Sequence, residues 1–167
     1  SWLDIAIIGQ PGGAGVSFQT LINNKGVFEI NTPTSVNGLK KSNMAFGDYD
    51  NNGTIDMFTS GQDAVGIAKS YLYTNDGKGN FTIVPELNAL NVIPNMFDAD
   101  AKFVDYDLDG DLDLVYAGTD QNNNPVGGVR VNTILDPKIT SNNYNGGNYN
   151  NGYTYNLSSY NSDCQCN

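Results

Sequence analysis

The chain has 167 residues, which suits one domain, and its 18 acidic and 8 basic side chains give a formal net charge of −10 at pH 7. This charge argues against nucleic acid as a partner, since its binding needs a cationic face, and against anionic membrane surfaces. Histidine is absent, which excludes His-based acid–base chemistry and His-ligated transition metals. No stretch approaches the ~18 consecutive apolar residues of a membrane-spanning helix, so no membrane span is predicted.

A pattern of apolar residue, Asp, apolar residue and a later Gly occurs three times along the chain. The windows are WLDIAIIGQ (2–10), TIDMFTSGQ (54–62) and DLDLVYAGT (111–119), so that the shared aspartates are separated by 52 and 57 residues. A spacing of this size indicates repeated supersecondary units, such as propeller blades.

The segments that follow these windows also repeat. FQTLINNKGVFEI (18–30) matches SYLYTNDGKGNFTIV (70–84), and GVRVNTILDPKIT (128–140) is a weaker third copy without the turn glycine. Alternating β-branched and aromatic residues predict strands, and Asn-Asp-Gly or Asn-Lys-Gly predicts hairpin turns. Because no segment sustains a 3.6-residue apolar period, the predicted fold class is all-β.

Each complete unit is predicted to contain four short strands. In the second strand of the third unit, Leu112, Leu114 and Tyr116 take one face and Val115 and Ala117 the other, which predicts a strand covered on both sides. The predicted strands are 44–47, 54–60, 70–74 and 80–84 in the second unit and 101–104, 111–117 and 128–132 in the third.

An acidic loop lies between the first and second predicted strands of the second and third units. DYDNNGTID (48–56) and DYDLDGDLD (105–113) share the spacing D-x-D-x-[DN]-G-x-x-D. Side-chain oxygens at positions one, three, five and nine converge on one point if the chain turns sharply after position five. The glycine that follows permits this turn because it tolerates positive φ. Position seven would contribute its backbone carbonyl as a further ligand. Such an oxygen set suits Ca²⁺, and two calcium sites are predicted. Their ligands are Asp48, Asp50, Asn52, Thr54 and Asp56, and Asp105, Asp107, Asp109, Asp111 and Asp113.

Three other interpretations of the acidic loops compete with a metal site. Polar turns that end strands would use the same residue types, but two copies at one place in a repeat favour a metal. A helical EF-hand needs flanking helices and a Glu at position twelve, which are both missing. Asp105 and Asp107 could form a catalytic carboxylate pair, although nothing nearby supplies the pKa contrast that such a pair needs.

The loops and strands together resemble FG-GAP/VCBS repeats, the calcium-loop blades of integrin α-subunit propellers and of many bacterial extracellular proteins. FGDYDNNGTIDMFTSG (46–61) and FVDYDLDGDLDLVYAG (103–118) carry the resemblance, which covers about residues 1–135. It implies propeller-like blades, Ca²⁺ at the ten ligand positions just named, and an adhesive, carbohydrate-binding or scaffolding role outside the cytoplasm. Asn52 in place of an aspartate is expected to weaken the first site.

The number of units falls short of a closed propeller, which typically has about 4–8 blades. The first unit begins at its second strand, so Asp4 is expected to lack upstream ligands. The chain is therefore either a fragment of a longer propeller or a subunit whose missing strand and faces come from neighbouring copies, through self-association at exposed strand edges and the tail.

The sequence divides into a repeat domain and a tail. Residues 1–140 form the repeat domain, with units at about 1–40, 41–97 and 98–140, and residues 141–167 are dominated by Asn, Tyr, Gly and Ser. Tyrosines in the tail suit sugar or interchain contacts. Cys164 and Cys166 are left open between interchain pairing and free thiols, and Asn52, Asn80 and Asn156 match the N-glycosylation triplet.

The leading functional hypothesis is a non-catalytic structural or adhesive protein that binds Ca²⁺ and lies outside the cell or on its surface. A head-to-tail filament is one form that such a protein could build. The alternative is a carbohydrate-binding, lectin-like propeller, or a fragment or accessory domain of a larger secreted protein or enzyme. No nucleophile, acid–base pair or cofactor motif other than the calcium loops is found, so an enzyme is not expected. Glycans are a possible partner of the tyrosine-rich tail.

Overall fold

The computed structural model describes residues 2–13, 15–85 and 93–132. The predictions for the tail, for Cys164 and Cys166 and for the glycosylation triplet at Asn156 lie outside the described residues. Within the described ranges the protein is all-β, with three antiparallel sheets, no α-helix and one short 3-10 turn at Pro11–Gly13. No helix in this part of the chain is long and apolar enough to cross a membrane.

The three sheets follow one another along the chain, and in each of them strands adjacent in sequence pair antiparallel. We call the sheets, with their connecting loops, the first, second and third units. The first sheet contains β1 (Ile5–Gly9), β2 (Ser17–Asn24) and β3 (Val27–Asn31). The second contains β4 (Lys40–Gly47), β5 (Asp56–Gln62), β6 (Ala68–Asn75) and β7 (Phe81–Ile83). The third contains β8 (Phe97–Val104), β9 (Asp113–Thr119) and β10 (Pro125–Arg130).

The first strands of the second and third units begin earlier than predicted, because each contains an irregularity that hides the alternating pattern. The register shifts between Lys40 and Asn43 in β4 and between Phe97 and Asp100 in β8. Inside these shifts Lys41 has a φ of 47° and Asp98 a φ of 45°, in the left-handed region. A β-bulge of this kind bends the strand and breaks the period-two pattern on which the prediction of 44–47 and 101–104 rested.

The sheets stack face to face in chain order, and the core lies between them. Phe18 of the first sheet packs with Met57, Tyr73 and Phe81 of the second in one buried cluster. The other cluster joins the second sheet to the third and consists of Ala45, Tyr49, Phe58, Leu72, Met96, Ala101 and Leu114. Neighbouring residues of β5 contribute to different clusters because successive side chains of a strand point to opposite faces.

The prediction that both faces of the second strand of the third unit are covered is wrong for the residues that the structure describes. Leu114 is buried, and Tyr116 packs against the cluster between the second and third sheets, as the apolar pattern predicts. Val115 on the other face is only partly buried, and Ala117 is exposed. The strand that is covered on both faces is β5, because its sheet lies between the other two. Burial of both faces depends on the position of a unit in the stack, which one unit's pattern does not contain.

Candidate metal centres

The two acidic loops join equivalent strands and share two positions with positive φ. The first connects β4 to β5, and the second connects β8 to β9. The residue at the fourth loop position has positive φ in both, 59° at Asn51 and 62° at Leu108. The glycine at the sixth position does too, with φ values of 87° at Gly53 and 96° at Gly110. The predicted sharp turn after position five is therefore present, and glycine permits it without steric cost.

Each loop brings three of its predicted carboxylates together. In the first loop one carboxylate oxygen from each of three aspartates lies within 4.8 Å of the other two, and the same holds in the second loop. Two oxygens that bind one Ca²⁺ at about 2.3–2.6 Å can be at most ~5.2 Å apart. Both clusters therefore have dimensions that a single calcium ion can bridge. They consist of Asp48, Asp50 and Asp56, and of Asp105, Asp107 and Asp109.

The first loop is organised by hydrogen bonds between its carboxylates and its own backbone. The Asp48 carboxylate accepts from the backbone N–H groups of Asn52 at 3.0 Å and Gly53 at 2.9 Å. The side-chain oxygen of Asn52 accepts from the Thr54 backbone N–H at 2.8 Å, and the Thr54 hydroxyl lies 2.6 Å from the same oxygen. These contacts hold the predicted ligand oxygens on the inside of the loop.

The second loop repeats this organisation. The Asp105 carboxylate accepts from the Asp109 backbone N–H at 3.1 Å, and Asp109 Oδ1 accepts from the Asp111 N–H at 3.0 Å. Asp109 Oδ2 is buried and accepts no hydrogen bond from any residue in the described ranges. A buried carboxylate oxygen without a partner is costly, and a cation in the loop would satisfy it. Asp111 is 2% exposed, and neither its carboxylate nor that of the predicted ligand Asp113 belongs to the three clustered carboxylates. The ligand predicted at Asp111 is its backbone carbonyl.

The ninth residue of each loop closes the loop onto the strand that follows. Asp56 Oδ2 accepts from the Tyr49 N–H at 2.9 Å and the Asp50 N–H at 3.2 Å. In the second loop Asp113 Oδ2 accepts from the Tyr106 N–H at 2.7 Å. Both aspartates are 0% exposed, so each fixes the start of its loop against the start of β5 or β9.

An asparagine 19 residues after this aspartate completes the arrangement, and sequence reasoning did not single it out. Its backbone N–H donates to the aspartate Oδ1, from Asn75 to Asp56 at 2.8 Å and from Asn132 to Asp113 at 2.7 Å. Asn23 and Asp4 form the same bond at 2.8 Å in the first unit. The constant spacing of 19 residues between the aspartate and the asparagine in all three units is the sequence signal that could have identified this asparagine. Asp4 therefore makes the same structural bond as Asp56 and Asp113.

Two of the loop carboxylates, those of Asp107 and Asp56, have raised pKa values. The pKa of Asp107 is raised above its ordinary 3.8, first by burial and then by the charges of Asp113, Asp109 and Asp111. Burial also raises the pKa of Asp56 from 3.8, although the backbone hydrogen bonds that it accepts act in the opposite direction. A divalent cation would reverse the balance, because an adjacent opposite charge favours the ionised carboxylate.

Comparisons of the chain with models of protein families, with curated proteins and with solved structures find no match. The resemblance of the loops to FG-GAP/VCBS repeats therefore stays a prediction. What the structure supplies is the geometry of two equivalent acidic loops that could each hold a metal ion.

Proposed function

We propose that the protein is a non-catalytic, calcium-binding structural protein built from propeller-like blades of the FG-GAP/VCBS type. The observation that carries the proposal is the pair of loops at residues 48–56 and 105–113. Each brings one oxygen from each of three carboxylates within 4.8 Å of one another, between the first two strands of its sheet. A lone acidic cluster is common on protein surfaces, but two copies with one spacing and the same two positive-φ positions support a shared ligand.

Calcium is the cation that this chemistry favours. The clustered groups are carboxylates, and amide and carbonyl oxygens are the other predicted ligands, a set typical of hard cations. Mg²⁺ needs near-ideal octahedral geometry at about 2.0–2.1 Å, whereas Ca²⁺ accepts six to eight oxygens in flexible arrangements. Irregular nine-residue loops fit the second requirement better.

The role proposed for the ions is to stabilise the units. Each loop connects two paired strands, and its ninth aspartate accepts hydrogen bonds from the loop backbone and from an asparagine at the end of β6 (Asn75) or just after β10 (Asn132). An ion in the loop would fix these elements relative to one another. Extracellular calcium modules work at about 10⁻⁴–10⁻³ M Kd, and we propose an extracellular or cell-surface location, with adhesion or assembly as the biological role.

Carbohydrate binding is the second candidate, and one residue favours it. Tyr106 lies between the predicted ligands Asp105 and Asp107 and is 49% exposed. An exposed aromatic ring beside a calcium ion offers a stacking face and a hydroxyl for a sugar. A glycan array probed with and without Ca²⁺, with the Tyr106→Ala variant as control, would separate this role from a purely structural one.

Isothermal titration calorimetry with Ca²⁺ tests the proposed function. We expect two binding events in the intact chain, with one lost in Asp50→Asn and the other lost in Asp107→Asn. Asp76→Asn is the matched control, because it removes one carboxylate from an exposed turn outside both loops. Absence of heat at millimolar Ca²⁺, or two intact sites in both loop variants, would contradict the proposal.

A further inference from the structure

The outer side of the first sheet is apolar and exposed. Ile5, Leu21 and Ile30 lie directly opposite one another in the strand register and therefore share one face. Ile7 and Phe28 lie on the same face because side chains two residues apart point the same way. Ile30 is 72% exposed, Ile7 49%, and Ile5 and Phe28 44% each. We call these five residues the open face.

The repeat shows what covers the equivalent face in the other two units. Ile5 corresponds to Met57 in the second unit and to Leu114 in the third, by the steps of 52 and 57 residues. Met57 is 0% exposed and lies in the cluster that contains Phe18 of the first sheet. Leu114 is 1% exposed and lies in the cluster that contains Phe58 of the second sheet. In both cases this face is buried by the opposite face of the preceding unit.

The other end of the stack carries the opposite kind of face. Val115 and Val129 lie opposite each other in the register of the third sheet, and Val104 and Ala117 share their side of it. Val115 is the equivalent of Phe58, the residue with which the second sheet covers the third. Val104 is 37% exposed and Ala117 is also exposed. We call these four residues the far face.

We propose that the open face of one copy receives the far face of a second copy of the same chain, so that copies associate head to tail. The contact would continue the packing that already joins the first sheet to the second and the second to the third. Two different surfaces meet in it, so the association propagates to a ring or an open filament. This proposal rests on the structural role proposed above and names the partner and the surface for that role. The contact itself does not involve the calcium loops.

One property of the faces supports a second copy as the occupant. One molecule carries both halves of a type of contact that it makes twice internally, so complementarity is built into the repeat. Lys102 lies on the far face directly opposite Val115, where the second unit has the buried Ala45 opposite Phe58, so the proposed contact has to accommodate one charged pair. Lys102 pairs with Asp100 at 3.0 Å, with side chains 67% and 71% exposed, and a lysine can cover an apolar surface with its stem while its charge stays in water.

Sedimentation velocity of three variants tests the proposal. Ile30→Glu places a charge on the open face and Ala117→Glu places one on the far face. Val65→Glu is the matched control, because Val65 is 81% exposed in the β5–β6 turn, away from both faces, and the charge change is identical. We expect the intact chain and the control to form concentration-dependent oligomers. Each face variant should associate roughly tenfold or more weakly, as for central interface positions.

Mixing the two face variants gives the outcome specific to head-to-tail association. Each retains the face that the other lacks, so an equimolar mixture should form 1:1 dimers that do not grow further, whereas each variant alone stays monomeric. A monomeric intact chain at high concentration would overturn the proposal. So would association of Ala117→Glu with itself, since open face would then meet open face. Circular dichroism verifies that each variant is folded, and calcium calorimetry on the same samples tests the proposed function independently.

Discussion

Asn132 links its own unit to the loop of the preceding one. Its backbone N–H donates to Asp113 Oδ1 at 2.7 Å, and its side-chain amide donates to the carbonyl of Tyr49, inside the first acidic loop, at 2.7 Å. The equivalent Asn23 of the first unit makes the bond to Asp4 and a side-chain bond to the Leu3 carbonyl at 3.1 Å, both in an exposed setting. At Asn132 the local bond is therefore accompanied by a bond to the preceding unit.

This difference predicts unequal costs for one substitution. Asn132→Ala should lower the free energy of unfolding by about 1–3 kcal/mol, because it removes the amide donor from a buried carbonyl. Asn23→Ala, the matched control, should cost less than about 0.5 kcal/mol, as is usual for an exposed site. Urea denaturation of both variants in saturating Ca²⁺ measures the difference, and equal losses would contradict the linking role.

The loop of the third unit should bind calcium more tightly than the loop of the second unit, because its fifth position is the charged Asp109, whereas the second unit has the neutral Asn52. Affinity in oxygen sites rises with the number of charged ligands. Asn52→Asp, a nearly isosteric change, should therefore tighten the weaker site by roughly tenfold and leave the other unchanged. Calorimetric titration of this variant checks the expectation, and an unaltered or weaker first site would count against Asn52 as a ligand.

Calcium removal should destabilise the folded chain. Binding to the native state alone stabilises it by about 2.7 kcal/mol per site at a hundredfold excess of ligand over Kd. In addition, eight of the 18 acidic residues lie in the two loops, so that removal of the ions uncovers repulsion. Thermal melting with Ca²⁺, with Mg²⁺ and with chelator measures this effect. The order expected for the melting temperature is Ca²⁺ above Mg²⁺ above chelator, and identical melting in all three would refute it.

The metal-free protein should become more stable as the pH falls from about 6 towards 4. The pKa values of Asp107 and Asp56 are raised above 3.8, chiefly by burial. The folded state then keeps protons that the unfolded chain has already lost. This contribution to stability is present in full below the unfolded pKa and is lost as the pH rises through the folded one.

Three aspartates with lowered pKa values, Asp76, Asp100 and Asp120, act in the opposite direction, and their effect begins at about pH 5 and grows as the pH falls further. Urea unfolding in buffers stripped of divalent cations measures the slope. Saturating Ca²⁺ should remove or reverse it, because the ion competes with protons for the same oxygens. Stability that rises from pH 4 to 6 without calcium would contradict the prediction.

One repeated glycine should be essential in the third unit and dispensable in the first. A Cβ at Gly118 would lie 2.6 Å from the Cβ of Ala99, in the bulged part of β8, whereas a Cβ at the equivalent Gly9 meets nothing within 4 Å. Gly118→Ala should cost about 1–3 kcal/mol through overpacking, and Gly9→Ala should be neutral or slightly stabilising. Denaturant midpoints of the two variants give the comparison, and equal midpoints would mean that the bulge yields without cost.

The sequence predicts those features of this protein that are local. Alternation and turn residues gave the strands, and the D-x-D-x-[DN]-G-x-x-D spacing gave two loops in which Asp48, Asp50 and Asp56, and Asp105, Asp107 and Asp109, do cluster. The prediction failed for features that depend on segments far apart in the sequence. The bulge around Lys41 carries no apolar signal, and exposure of Ala117 depends on the end of the stack. Asn132 acquires its second partner 83 residues away, across the packing of two sheets.

The stacking order makes the described fold a short one-dimensional array. Contacts between sheets run from β1 to β4 and from β4 and β5 to β8, so each unit is stabilised by its nearest neighbours. In such an array the free energy is approximately a sum of unit terms and interface terms. An end unit can fray at the loss of one interface, whereas the second unit cannot unfold without the loss of two. Damage to the second sheet should therefore spread in both directions along the chain, and damage at either end should stay local.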